Sequence, residues 1–240
     1  MSEHIVKAFD EDLAVLKNML AQMGGLVEQQ LDDAIGALSR RDTDLADRVI
    51  QNDEKVDMLE HQIEEKAILT IAKRQPVARD LRDIMVAIRV SSDLERIGDL
   101  AKNTAKRTHA TSDQVPRKLM IGVTRMGRLA QEQLKNILDA YARSDAEKAL
   151  EVWRSDEDLD SLYNSIFREL LTYMMEDPRN ISLCTHLLFG AKNMERIGDH
   201  ATNIAENIHY LVHGKPLAEG RPKNDITSSM TVDGNKPSED

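Results

Sequence analysis

The chain contains one cysteine, Cys184, which can form no internal disulfide and no thiolate cluster. Its apolar neighbours Leu183, Leu187 and Leu188 mark it as a small core residue, and such cysteine usage fits the cytoplasm. Aromatic residues make up only 3% of the sequence and prolines number 6, which disfavours a strand-rich sandwich or barrel. There is no basic excess either: 32 Lys and Arg against 42 Asp and Glu give a net charge of −10, a field that repels nucleic acid and anionic membrane surfaces. No apolar run approaches the roughly 20 residues of a membrane span, and the amino end lacks a basic stretch leading into an apolar one. What remains is 240 residues rich in Leu, Ala, Glu, Asp, Lys and Arg, the composition of an all-α protein of one large or two ordinary domains.

Periodicity gives the elements. Phe9, Leu13, Leu16, Leu20, Met23, Val27, Leu31, Ala34 and Leu38 recur at spacings of three and four, which predicts a helix from about His4 to Ser39. Asp42 or Thr43 is placed to cap a second helix that carries Leu45, Val49, Val56, Leu59 and Ile63 and stops near Gln75, before Pro76. A third helix carries Leu81, Met85 and Ile88 and runs through Glu95 and Asp99 to about His109, where the polar Thr111 to Pro116 segment follows. Seven of the eight aromatics lie in the second half, which predicts a bulkier core there. After His213 come three of the six prolines and few apolar residues, so residues 214–240 are expected to form a disordered tail.

The second half repeats the first. Met23-Gly24 matches Met126-Gly127, Leu31 matches Leu134, Asp42 matches Asp145, and Asp53-Glu54 matches Asp156-Glu157, all at an offset of 103. Glu95-Arg96-Ile97-Gly98-Asp99 recurs as Glu195-Arg196-Ile197-Gly198-Asp199, and residues 94–105 share 8 of 12 identities with 194–205. An internal duplication of this kind predicts two tandem pseudo-symmetric three-helix bundles, residues 1–111 and 112–213, joined end to end or side by side.

The repeated motif carries the chemistry. Glu95 and Asp99, like Glu195 and Asp199, stand four apart on a helix and so share one face; the preceding helix of each half adds Asp53 with Asp57, and Asp156 with Asp160. In a chain this acidic about 7 such pairs would arise by chance, so no single pair is informative. Placement is more so. If Leu81, Met85 and Ile88 face inward, the same stripe continues into Ser92, Glu95, Asp99 and Asn103 and becomes an inward-looking acidic surface. Three readings are open: a solvated face with Arg96 and Arg196 as counterions, inter-helix salt bridges, or a hard-cation site of oxygen ligands with Asn103 and Asn203 adding carbonyls. Recurrence in both halves favours the third. Gly98 and Gly198 inside helices point to close helix approach, which is a packing reason independent of metal.

Other candidates carry less. Glu206 and His209 have the Glu-x-x-His spacing of di-iron bundles, but Lys106 stands in place of the Glu in the first half. His109 and His209 sit near helix ends, where a cation beside the carboxyl-terminal dipole explains them. His200, beside Asp199, could join the acidic cluster, although Leu100 holds the matching place. No phosphate-cradling glycine loop and no nucleophile with a base is recognisable.

The duplicated Glu-Arg-Ile-Gly-Asp with its downstream Asn, the upstream Asp-x-x-x-Asp pairs, and Pro76-Val77-Ala78-Arg79-Asp80-Leu81-Arg82 closely resemble the PhoU family of regulators of bacterial phosphate uptake, over residues 4 to 213. The resemblance assigns metal binding to Asp53, Asp57, Glu95, Asp99, Asp156, Asp160, Glu195 and Asp199, with Mg, Mn, Fe or Zn as the candidate ions. It implies a cytoplasmic negative regulator of the phosphate-starvation response. Such a protein is not an enzyme; it links the ATPase subunit of the phosphate-specific ABC transporter to the phosphate-sensing histidine kinase and reaches the inner membrane only through them. Apolar stripes that also serve dimer contacts lead us to expect a homodimer. Ile181-Ser182-Leu183-Cys184 stands where the first repeat has Arg79 to Arg82, so the halves need not meet partners equivalently. Two alternatives are a carboxylate-bridged metal-dependent hydrolase of phosphoesters or polyphosphate, and a purely structural coiled-coil scaffold.

Overall fold

A computed structural model describes residues 2–110 and 117–218. Among the described residues there is no strand; the chain forms α1 (Ser2–Arg40), α2 (Thr43–Arg74), α3 (Arg79–Arg107), α4 (Arg117–Arg143), α5 (Ala146–Glu176) and α6 (Ile181–His213), with single 3-10 turns after α3 and α5. The polar segment 111–116 and most of the expected tail, 219–240, lie outside the described residues. The expected disorder does not begin at Gly214, however. That glycine closes α6 in the left-handed conformation (φ 71), its N–H donating to the Tyr210 carbonyl at 2.9 Å, and Leu217 packs back against the core.

The two halves use the same local devices. Before α2, Arg41 takes a positive φ of 58 and Asp42 caps the helix, its carboxylate accepting from Leu45 N–H at 2.9 Å; before α5, Ser144 takes φ 51 and Asp145 accepts from Lys148 N–H at 3.0 Å. Each cap is worth about 1 kcal/mol. α2 ends just before Pro76, with Gln75 in the left-handed region at φ 50 and its N–H donating to the Ile71 carbonyl at 2.9 Å.

Within each half the three helices pack on one another, and the halves lie side by side through α1 against α4 and α3 against α6. Both of these pairs are antiparallel and nearly twofold-symmetric. A Cβ on Gly24 would meet Leu138 Cδ2 at 2.7 Å, and one on Gly127 would meet Ile35 Cγ1 at 2.8 Å; both pairs are related by the repeat offset, so glycine lets α1 and α4 approach equally at two crossings. Across α3 and α6, Asn193 donates to Thr104 Oγ1 at 3.3 Å, while Asp93 Oδ1 meets His200 Nδ1 at 3.0 Å and accepts from Asn203 Nδ2 at 3.3 Å.

One inferred face is wrong. Leu81 and Met85 are 37% and 39% exposed, and the buried stripe of α3 is instead Ile84, Ala87, Val90, Leu94 and Ile97. α3 packs against α1, α2 and α6 at once, so it carries apolar residues around most of its circumference and periodicity alone cannot rank its faces. The acidic stripe is therefore the flank of the α2–α3 contact rather than its centre. The bulkier second core is present in Trp153 and Tyr163, both buried, but Phe189 is 50% exposed. Cys184 is buried, as its neighbours predicted.

Candidate metal centres

Because α2 and α3 are antiparallel, the two first-half pairs meet. Asp53 is buried between the helices, and its two oxygens are fully engaged: Oδ1 accepts from Gln30 Nε2 at 2.8 Å, and Oδ2 pairs with Lys102 Nζ. Lys102 also pairs with Asp99 Oδ1 at 2.6 Å, so one ammonium bridges a carboxylate from each helix. Burial first, and then the neighbouring Asp53 and Asp99 charges, push the Asp57 carboxyl above its ordinary range. Burial, followed by Asp99, raises Glu95 to about 6; Glu60 and Asp57 add to the rise, and Arg96 opposes it. Lys102 is held protonated by its hydrogen bonds to the two aspartates, which outweigh the opposing and individually largest effect of burial. The first repeat thus realises inter-helix salt bridging, with the exposed Arg96 guanidinium 3.4 Å from Glu95 and 3.5 Å from Asp99 as a partial counterion.

The second repeat solves the same problem differently. Asp156, Asp160 and Glu195 are 1%, 3% and 4% exposed, deeper than Asp57, Glu95 or Asp99, which are only partly buried. At the position of Lys102 stands Thr202, whose hydroxyl donates to the Asp199 carbonyl at 2.7 Å and brings no charge. Lys192, one turn before Glu195, supplies an ammonium 2.9 Å from Glu195 Oε1; the matching residue in the first half is Ser92. Gln133, the counterpart of Gln30, is also turned the other way. Its Nε2 donates to the Ser155 carbonyl at 3.1 Å and lies 3.3 Å from Ser155 Oγ, which leaves the buried Oε1 without a hydrogen bond. That oxygen and Asp156 Oδ1 converge beside Gly198, where an added Cβ would meet them at 3.1 and 2.8 Å and Leu159 at 2.5 Å.

Oxygens from two helices facing one space are a donor set of the kind a hard cation takes. In the second repeat the oxygens that would hold the metal the resemblance implies are those of Asp156, Asp160, Glu195, Asp199 and Gln133. The first-repeat residues fit it less well, since Lys102 already stands between Asp53 and Asp99. Among the described residues no three His, Cys, Asp or Glu side chains are gathered closely enough to hold one ion as they stand.

Several expected contributors lie elsewhere. His200 and Asn203 face Asp93 across the α3–α6 contact and do not join the acidic cluster, because they project from the side of α6 opposed to α3. His109 pairs with Asp47 at 3.0 Å, and Glu206 accepts from Trp153 Nε1 at 3.1 Å, which gives each a structural partner. Gln30, Gln133, Lys102 and Glu60 were not anticipated. The paired glutamines were readable at the repeat offset, and Lys102 opposite Thr202 was readable as a mismatch inside the best-matched segment. An apolar hollow of about 390 Å³ between α1, α3 and α4, lined by Leu13, Leu20, Ala87, Leu94 and Leu138, touches none of the eight carboxylates.

These observations define a duplicated three-helix protein with an acidic cluster at the second-to-third helix contact of each repeat. The PhoU domain model matches residues 20–108 and 123–208, and the chain belongs to that family. It is 56% identical over 228 residues to the phosphate-specific transport system accessory protein PhoU homolog of Rhizobium meliloti (strain 1021), covering 95% of this chain and 96% of that one. It is 42% identical over 215 residues to the phosphate-specific transport system accessory protein PhoU of Escherichia coli (strain K12), covering 90% and 89%. The crystal structure of PhoU from Pseudomonas aeruginosa superposes with a TM-score of 0.82 at 40% identity, covering 86% of this chain and all of that one.

Proposed function

We propose that the chain is an accessory protein of phosphate transport that works as a metal-binding adaptor. It would join the ATPase subunit of the phosphate-specific ABC transporter to the phosphate-sensing histidine kinase and hold the starvation response off. The relatives' names support the first part, and among the described residues no helix is long and apolar enough to cross a membrane, in keeping with a protein that reaches the membrane through partners in the cytoplasm. The observation that carries the adaptor reading is the second-repeat cluster: three buried carboxylates and an unfilled glutamine oxygen locked between α5 and α6. An oxygen-only donor set favours hard ions, Mg²⁺, Mn²⁺ or Fe²⁺, over Zn²⁺. Neutralising those charges would fix the α5–α6 spacing and, through the α3–α6 contact, the face shared by both repeats.

Exposed apolar side chains supply partner faces at matching ends of the repeats, with Val77, Leu81 and Met85 on the first and Ile181 and Phe189 on the second. The hydrolase reading finds little support in the second repeat, where Asp156, Asp160 and Glu195 are at most 4% exposed and only Asp199 is partly open to a phosphoester. Pull-downs from phosphate-replete cells test the adaptor: the intact chain should recover both transporter and kinase subunits, and an Asp156→Asn, Glu195→Gln variant that stays folded should recover less of them. Recovery of neither subunit by the intact chain would defeat the proposal.

A further inference from the structure

The end of α6 carries a pair of histidines unrelated to the carboxylate clusters. His209 and His213 stand four residues apart on one helix face, and their ring centroids are 4.5 Å apart with the planes inclined at 46°. Helical i, i+4 spacing is how paired imidazoles reach one metal ion. The two rings differ in how they are held. His209 Nδ1 lies 3.2 Å from the Lys215 carbonyl, and a carbonyl can only accept, so Nδ1 carries the proton and Nε2 presents its lone pair. A carbonyl on the far nitrogen is the usual orienting contact of a metal-ligating histidine. The partly buried ring also borders a narrow crevice lined by Leu150, Trp153, Ala205 and Leu217. His213 is exposed, free to turn its own nitrogen toward the same ion.

We infer that His209 and His213 form a two-imidazole site for a borderline divalent cation, Zn²⁺, Ni²⁺ or Cu²⁺, at the carboxyl end of α6. Nitrogen donors separate it chemically from the oxygen-only clusters, which suit harder ions. Solvent completes the coordination; Glu206, one turn earlier on the same face, has its Oε1 engaged by Trp153 Nε1 at 3.1 Å. An ion there would tie the last turn of α6 to the returning strap of Lys215 and Leu217, next to Arg82, whose guanidinium reaches the Tyr210 and Leu211 carbonyls at 3.5 Å. The site would therefore make the α3–α6 end, including the exposed Leu81 region, responsive to a transition metal. This inference does not depend on the carboxylate reading.

The test uses the full untagged chain labelled with ¹⁵N-histidine and titrated with Zn²⁺, with His209→Ala and His213→Ala as assignments. The two Nε2 resonances should shift together, and removal of either histidine should weaken Zn²⁺ uptake at the other by about tenfold or more, because the second ligand then binds no longer as a neighbour. An Asp156→Asn, Glu195→Gln chain should keep both shifts. If the two resonances stay in place at millimolar Zn²⁺, or each shifts unchanged without its partner, the inference is overturned. Because His213 is exposed, its replacement leaves the fold intact and the readout interpretable.

Discussion

The two acidic clusters descend from one motif and reach charge balance by opposite routes. In the first repeat the neutralising cation is covalently part of the protein: Lys102 bridges Asp53 and Asp99, and Gln30 turns its amide nitrogen toward Asp53. In the second repeat Thr202 stands in place of that lysine, Asp160 and Glu195 are buried where Asp57 and Glu95 are only partly so, and Gln133 turns its oxygen toward Asp156. Lys192 offsets part of the charge at Glu195 from one turn away. On the proposed reading, Lys102 takes in the first cluster the place that a bound cation takes in the second.

The comparison can be broken most forcefully at Lys102. Lys102→Met leaves Asp53 and Asp99 without their shared cation, and removing one partner of a mostly buried pair costs about 3 kcal/mol. The urea midpoint should fall accordingly and recover when Mg²⁺ or Mn²⁺ is added. A midpoint unchanged without metal would show that the ammonium is not balancing the cluster.

The glycines sharpen it next. Gly198→Ala drives a Cβ to 2.5 Å from Leu159 and 2.8 Å from Asp156, whereas at Gly98 the nearest atom is Val56 at 3.3 Å. Overpacking at 198 should cost about 2 kcal/mol, while at 98 the alanine's better helix propensity should hold the change within about 1 kcal/mol. Thermal melting of the two variants compares them directly, and equal shifts would contradict the tighter second cluster.

The smallest effect is a pH dependence at Glu95. Its carboxyl titrates near about 6 in the folded chain against an ordinary 4.5, so between those values the folded state binds more protons than the unfolded one. Stability therefore falls as pH rises from about 4.5 to about 6, by less than about 1 kcal/mol because the group is partly solvated. Glu95→Gln should flatten denaturation midpoints across that window; an unchanged slope would place the shift on another group.

Most of the fold was legible because long apolar stripes, two aspartate caps and a strict repeat offset leave little freedom. The face of α3 was not, since a helix with three neighbours is apolar on more than one side and Leu81, Met85 and Ile88 look as core-like as Ile84, Ala87 and Leu94. The eight carboxylates were legible from the repeat, but their surroundings were not. Lys102 against Thr202 reads as ordinary drift until the structure places the ammonium between two aspartates. Gln30 donates to Asp53 and the Gly98 carbonyl while Gln133 donates to the Ser155 carbonyl, a difference in side-chain direction that no spacing encodes. His200 next to Asp199 in sequence faces Asp93 in space, because adjacent helical residues point about 100° apart.

Metal stoichiometry across a lysine exchange tests the central claim most directly. Calorimetric titration with Mn²⁺ should show uptake by the intact chain that is abolished by Asp156→Asn with Glu195→Gln and unaffected by Asp53→Asn. Lys102→Thr should add sites in the first repeat, and Thr202→Lys should remove those of the second. Equal uptake by the intact chain and both lysine variants would contradict the account.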